Sequence, residues 1–128
     1  MARKILVVDD EVDFLEILTS RLAANKYDVV TANDGESALL KWKKEKPDAV
    51  LLDIMMPHID GLTVLKKIRE EDKYLPIFII TAFSNEARVQ FANKLNANGF
   101  IIKTSDLQQE IDKITATIEI SAKFKAKK

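Results

Sequence analysis

A doubly wound α/β fold follows from three observations on the 128 residues. Ile5 to Val8, Ala49 to Leu52, Ile77 to Ile80 and Phe100 to Ile102 are near-continuously apolar, as strands covered on both faces must be. Between and after these runs, apolar residues recur at helical spacing, as in Leu15, Leu18 and Leu22 or Leu107, Ile111, Ile114 and Ile118. Alternating strands and helices imply right-handed crossovers and a parallel sheet.

Five β/α units are predicted, with strands near residues 3–8, 27–31, 48–52, 76–81 and 99–103 and a helix after each. The first strand runs into Asp9 and Asp10 and the helix carrying Leu15, Leu18 and Leu22. The second leads to Asp34-Gly35, a helix start, and Pro47 stops that helix. Asp53 ends the third strand, and Asp60-Gly61 starts the third helix. Pro76 opens the fourth strand, where its missing N–H costs little, and Thr81 closes it. Asn96 sits where the fourth helix must end and tolerates the left-handed backbone of such termini. Lys103 ends the fifth strand. Ser105 with Gln108 forms a capping box for the last helix, with Asp106 complementing the dipole in its first turn. No repeat, linker or low-complexity segment interrupts the pattern.

The length suits one domain, assigned to residues 1–122, followed by a solvated, frayed, lysine-rich tail at 123–128. Basic and acidic residues number 20 each, so the charge balance gives no argument for nucleic acid or membrane as a partner. The absence of Cys excludes disulfides and thiolate metal sites. No stretch reaches the length of a membrane span or signal peptide, so a cytoplasmic protein is expected.

Each apolar run is followed at once by a polar group: Asp9 and Asp10, Asp53, Thr81, Lys103. In an open parallel sheet, ligands bind beyond the carboxyl ends of the strands, where the strand order reverses, so these residues are predicted to share one site. Three carboxylates gathered there repel one another by about 4 kcal/mol per pair at ~4 Å and an effective dielectric of about 20. Mg²⁺ answers that need, since it binds through one or two carboxylates plus a phosphate, and Lys103 adds a second positive charge. With the charge neutralised, Asp53, alone at the end of a central strand, is the candidate nucleophile for phosphorus. The Thr81 hydroxyl and the Ala82 backbone N–H are candidate donors to the phosphoryl oxygens.

These residues resemble the receiver domain of two-component response regulators, of the chemotaxis-regulator type. The resemblance covers essentially the whole chain, through Val7-Val8-Asp9-Asp10-Glu11, Leu52-Asp53-Ile54-Met55-Met56-Pro57, Asp60-Gly61, Thr81-Ala82 and Lys103. It implies a flavodoxin-like sheet in the order 2-1-3-4-5 with five helices. It also implies that Asp53 is the phosphoacceptor, Asp10 a direct Mg²⁺ ligand, Asp9 one acting largely through water, and the Met55 carbonyl a further ligand. Thr81 is then the switch hydroxyl and Phe100 the switch aromatic. The implied donor is a sensor histidine kinase or histidine phosphotransfer domain. The implied reader is a downstream protein on the face of the fourth helix, fifth strand and fifth helix, with the chain a monomer or weak dimer. The chain is not expected to be an enzyme beyond self-catalysed phosphoryl transfer and slow autodephosphorylation.

Three departures from that pattern stand out. Thr104 follows Lys103 where the family usually has a cis-bonded proline; a cis bond to a non-proline costs ~2.5–4 kcal/mol, so a trans bond or a reshaped loop is expected. Asn96 replaces a usual glycine. Met55 and Phe83 stand at the two positions that flank the phosphoryl group in the family, and neither can orient a water, which implies a long-lived phosphoryl state. An aspartyl-phosphate phosphatase of the haloacid-dehalogenase type is excluded, because Met55 stands where that chemistry needs a second Asp. A phosphorylation-independent adaptor and an excised regulatory domain of a DNA-binding regulator are the remaining alternatives. Elsewhere the reading is structural: His58 as a solvated loop residue, Trp42 as partial core, and Lys41, Lys43, Lys44 and Lys46 as a solvated helix face.

Overall fold

Side chains alternate across a strand, so a two-faced sheet sorts neighbouring residues into opposite layers. In the computed structural model, five parallel strands form one sheet in the order β2-β1-β3-β4-β5. They are β1 (Lys4–Val8), β2 (Asp28–Ala32), β3 (Ala49–Asp53), β4 (Ile77–Thr81) and β5 (Gly99–Ile102). Among the described residues the helices that flank them are α1 (Val12–Ala24), α2 (Gly35–Glu45), α3 (Gly61–Glu71) and α4 (Leu107–Ala126), the last being the predicted fifth helix. The structure describes residues 2–56, 58–82, 90, 93–103 and 106–126, with side chains through residue 123. The predicted fourth helix falls largely outside them, although Gln90, Asn93 and Lys94 are helical. Phe83, Thr104 and Ser105 also lie outside, with the Lys103-Thr104 bond and half of the capping box.

Alternation is visible within single strands. Ile5, Val7, Ala49, Leu51, Phe78, Ile80 and Ile101 pack under α1 and α4, against Leu18, Leu22, Ile111, Ile114 and Ile118. Leu6, Val8, Val50, Leu52, Ile77 and Ile79 face the other way, against Ala38 of α2 and Val64, Leu65 and Ile68 of α3. Each such fully buried aliphatic side chain stabilises the fold by about 1.5–3 kcal/mol relative to exposure. A one-residue slip of β3 would exchange its two layers and turn Asp53 to the wrong side. The central strands are buried apart from Lys4 at the start of β1, whereas Val29, Val30, Phe100 and Ile102 on β2 and β5 are half-buried. The run Phe100 to Ile102 therefore does not behave as a strand covered on both faces, because β5 is an edge.

The breakers act as their chemistry requires. Asp34 and Asp60 cap α2 and α3, accepting from the backbone N–H groups of Ser37 at 2.7 Å and Thr63 at 2.9 Å. Lys46 takes the left-handed backbone after α2, one residue before Pro47, and Asn96 has φ +66°. Asp106 precedes the first helical residue, not within the first turn as expected, and its carboxylate accepts from the Gln108 N–H at 2.9 Å. The last helix continues through Ala126, so Lys123 and Lys125 of the expected tail are on the helix, and residues 127–128 lie outside the described residues.

Candidate functional site

Parallel strands deliver their C-terminal residues to one edge of the sheet, and pairing sets how far each reaches. Asp53 and Thr81 are the last residues of β3 and β4, within the sheet rather than after it; Asp53 pairs with Ile80, and Thr81 with Ile102. Asp9 follows β1 and stays in register through its N–H to the Ala32 carbonyl at 3.1 Å. Lys103 follows β5, its N–H bonded to the Thr81 carbonyl at 2.9 Å. Residues far apart in sequence thus become neighbours.

The geometry brings the predicted site residues together. One carboxylate oxygen from each of Asp9, Asp10 and Asp53 lies within 4.8 Å of the others. Asp9 is 0% exposed, Asp53 and Thr81 are 4% exposed, and Asp10 is open to solvent. The Lys103 ammonium stands 3.0 Å from Asp9 Oδ2 and 3.8 Å from Asp53 Oδ2, and donates to Asp9 Oδ1 at 3.3 Å. Asp9 Oδ2 is buried with no aligned hydrogen-bond donor, since the short approach of the ammonium is off-axis. The Met55 N–H donates to Asp53 Oδ1 at 3.1 Å, and the Met55 side chain points to solvent. Phe100 is half-buried and packs against the α2–α3 layer, while Ala82, just past β4, is exposed.

Electrostatics follow from this crowding. Burial pushes the Asp53 carboxyl up to about 8, and the neighbouring Asp9 adds to the rise against the opposing pull of Lys103 and the Met55 N–H. Burial opposes the charge on Lys103, but Glu11, Asp9 and Asp53 together outweigh it and raise its pKa. Among the described residues the site holds more negative charge than Lys103 balances, and one buried carboxylate oxygen lacks an aligned donor. Both observations fit a hard divalent cation with oxygen ligands.

Four residues of the site were not singled out by the sequence reading. Glu11, directly after the acid pair, contacts the Lys103 ammonium with its carboxylate. The Phe14 ring lies 5.0 Å from that ammonium, within cation–π range. Gly61 lets α3 press onto the end of β3: a Cβ there would meet the Asp53 carbonyl oxygen at 2.0 Å. Glu110, buried in α4, accepts from the Ile102 N–H at 3.0 Å and steadies the strand that presents Lys103. Glu11 and Gly61 stand inside motifs visible in the sequence, whereas nothing in the sequence marks Phe14 or Glu110. Lys41 was read as solvated, yet it is half-buried and donates to the Thr31 carbonyl.

Comparison with known proteins is consistent with this site. The family model for the response regulator receiver domain matches residues 5–115. The chain belongs to the response regulator receiver family. It is 42% identical over 103 residues to the alkaline phosphatase synthesis transcriptional regulatory protein PhoP of Bacillus subtilis, covering 80% of this chain and 43% of that protein. The receiver thus spans less than half the length of this relative. Among solved structures it is similar to chemotaxis protein CheY4 of Vibrio cholerae, with TM-score 0.85 and 26% identity over 91% of this chain and 99% of that one. It is also similar to NtrX of Brucella abortus, with TM-score 0.90 and 31% identity over 98% of this chain and 29% of that one. No helix among the described residues is long and apolar enough to cross a membrane.

Proposed function

We propose that this receiver accepts a phosphoryl group on Asp53 from the phosphohistidine of a sensor kinase or phosphotransfer domain. The observation that carries the reading is the setting of Asp53, buried at the end of β3 beside Asp9 and Lys103, with its Oδ1 held by the Met55 N–H. That hydrogen bond leaves Oδ2 as the attacking atom. The new bond joins this oxygen to phosphorus as the phosphorus–nitrogen bond of the donor breaks, and the electron pair leaves with the imidazole nitrogen. Lys103 and the Thr81 hydroxyl, with the Ala82 N–H, meet the phosphoryl oxygens.

Asp9, Asp10, Asp53 and the Met55 carbonyl are the groups that would hold Mg²⁺. When bound, the ion supplies the positive charge that lets an anionic carboxylate approach an anionic phosphoryl group. The chain's own residues then perform the switch. Aspartyl phosphate adds roughly −1.5 to −2 charges, by analogy with other phosphorylated side chains. It favours the state in which Thr81 turns toward the phosphate and Phe100 moves inward behind it. A downstream protein reads the face built by the predicted fourth helix, β5 and α4. With Met55 beside the phosphoryl group in place of a water-orienting side chain, hydrolysis is slow, so the chain acts as a switch and not as a phosphatase.

The test is intact mass after incubation with acetyl phosphate and Mg²⁺. The wild type gains one phosphoryl group and Asp53→Ala gains none; equal gain by both, or none by a wild type shown to bind Mg²⁺, overturns the reading in favour of an adaptor. The likeness to PhoP favours a transcriptional output. Replacing the receiver of that relative with this chain tests it: target-gene expression that no longer responds to phosphorylation argues against it.

A further inference from the structure

We propose that Glu11 is a positioning residue that holds Lys103 in the unphosphorylated state and must release it when the phosphoryl group arrives. This inference rests on the phosphoacceptor reading of Asp53.

The argument begins with the place of Glu11 in the chain. It is the N-cap residue of α1, with extended backbone, and its side chain makes no capping hydrogen bond. A carboxylate at a helix start ordinarily serves the unsatisfied N–H groups of the first turn. The Glu11 carboxylate instead reaches across the end of the sheet and contacts the Lys103 ammonium. Its backbone is fixed for that reach, because the Glu11 N–H donates to Asp9 Oδ1 at 2.9 Å. Asp9 therefore anchors both partners, taking the backbone of one and the ammonium of the other.

An ammonium has three protons to donate. In this structure two go to Asp9 Oδ1 and Glu11, while Asp53 Oδ2 is at 3.8 Å, within ion-pair range and beyond a hydrogen bond. The Phe14 ring at 5.0 Å gives the ammonium a further side on which to rest. Lys103 is thus drawn toward α1 and away from the nucleophile. When a phosphoryl oxygen takes a proton of Lys103, the exposed member of this set is the one free to let go. Glu11 is 65% exposed and can be rehydrated, whereas Asp9 is fully buried and cannot.

The competition has a measurable sign. Removing the Glu11 carboxylate leaves Lys103 to the buried aspartates, so a phosphoryl group finds its cation already released. Half-exposed ion pairs are weak, so the expected change is about three- to fivefold in affinity. A general loss of negative charge beside an anion site would shift affinity in the same direction. Glu11→Asp separates the two, because it keeps the charge but draws the carboxylate back by one methylene, out of hydrogen-bond contact with Lys103.

The test titrates wild type, Glu11→Gln and Glu11→Asp with beryllofluoride in saturating Mg²⁺, following the Thr81 and Ala82 backbone amides and the Lys103 ammonium by NMR. The expected result is a half-saturating concentration about three- to fivefold lower in both variants, with the Lys103 signal of the unliganded variants shifted toward its liganded position. Half-saturation unchanged in both variants, or lowered only in Glu11→Gln, overturns the proposal. If the wild type fails to bind beryllofluoride, the phosphoacceptor reading falls instead, so the two failures are distinguishable.

Discussion

Replacing Asp53 with asparagine should make the metal-free protein more stable while abolishing phosphoryl uptake. The carboxylate oxygens of Asp9, Asp10 and Asp53 lie within 4.8 Å of one another, which at an effective dielectric of about 20 costs about 3 kcal/mol per pair. Asp53 takes part in two such repulsions and one attraction, the Lys103 ammonium at 3.8 Å offsetting about 4 kcal/mol. The balance is about 2 kcal/mol against the charge; screening at exposed Asp10 lowers it and the burial of Asp53 raises it, which gives a range of about 1–3 kcal/mol. The direction agrees with a carboxyl pushed up from 3.8 to about 8. A carboxyl whose folded pKa is raised imposes no penalty below its unfolded value, and the penalty grows as pH rises from about 4 to about 8. Urea unfolding followed by circular dichroism in EDTA should therefore show Asp53→Asn more stable by about 1–3 kcal/mol at pH 8 and by much less at pH 5. A variant less stable than wild type at pH 8, or a difference equal at both pH values, would refute the reasoning.

Other perturbations follow from the same geometry. Lys103→Met leaves Asp9 and Asp53 without their cation and should lower stability by about 3 kcal/mol in EDTA, with part regained in Mg²⁺; a melting temperature equal to wild type in EDTA counts against it. Gly61→Ala sets a methyl against the Asp53 carbonyl and should cost about 1–3 kcal/mol and slow phosphorylation by acetyl phosphate, so wild-type rates together with wild-type stability would contradict the packing argument. Glu110→Ala takes the acceptor from the half-buried Ile102 N–H and should cost about 1–3 kcal/mol, read by urea unfolding, with a change under about 0.3 kcal/mol as the contrary result. Met55→Asn supplies a group able to orient water and should shorten the phosphoryl lifetime followed by intact mass; a wild-type half-life of seconds in Mg²⁺ alone would dispose of the long-lived state.

What was readable in the sequence was what repeats or punctuates. Four apolar runs, two Asp-Gly helix starts and Asn96 fixed the described elements to within a residue or two, because each depends on local backbone chemistry. The meeting of Asp9, Asp10, Asp53, Thr81 and Lys103 was readable too, since a parallel sheet sends every strand end to one edge. What was hidden depended on distances between elements. Phe100 and Ile102 are no less apolar than Ile79, yet their edge position leaves them half-buried. Asp106 could cap or follow the cap, and only the first helical turn decides. Glu11 was visible as the third acid in a row, but its contact with Lys103 needs the chain to close from β5 back to α1. Lys41 was one lysine among several until α2 packed beside β2 and gave it the Thr31 carbonyl.

The Lys103 ammonium reaches its aspartates only through the outermost strand of the sheet. An intermediate in which β1, β3 and β4 have paired but β5 has not would hold Asp9 and Asp53 face to face with no cation between them. Pairing of β5 with β4 relieves that repulsion as well as burying Ile101, which ties the edge of the sheet to the charge of the site. If Asp53 takes up phosphate as proposed, a sheet that lacks β5 would also lack the lysine that this chemistry needs.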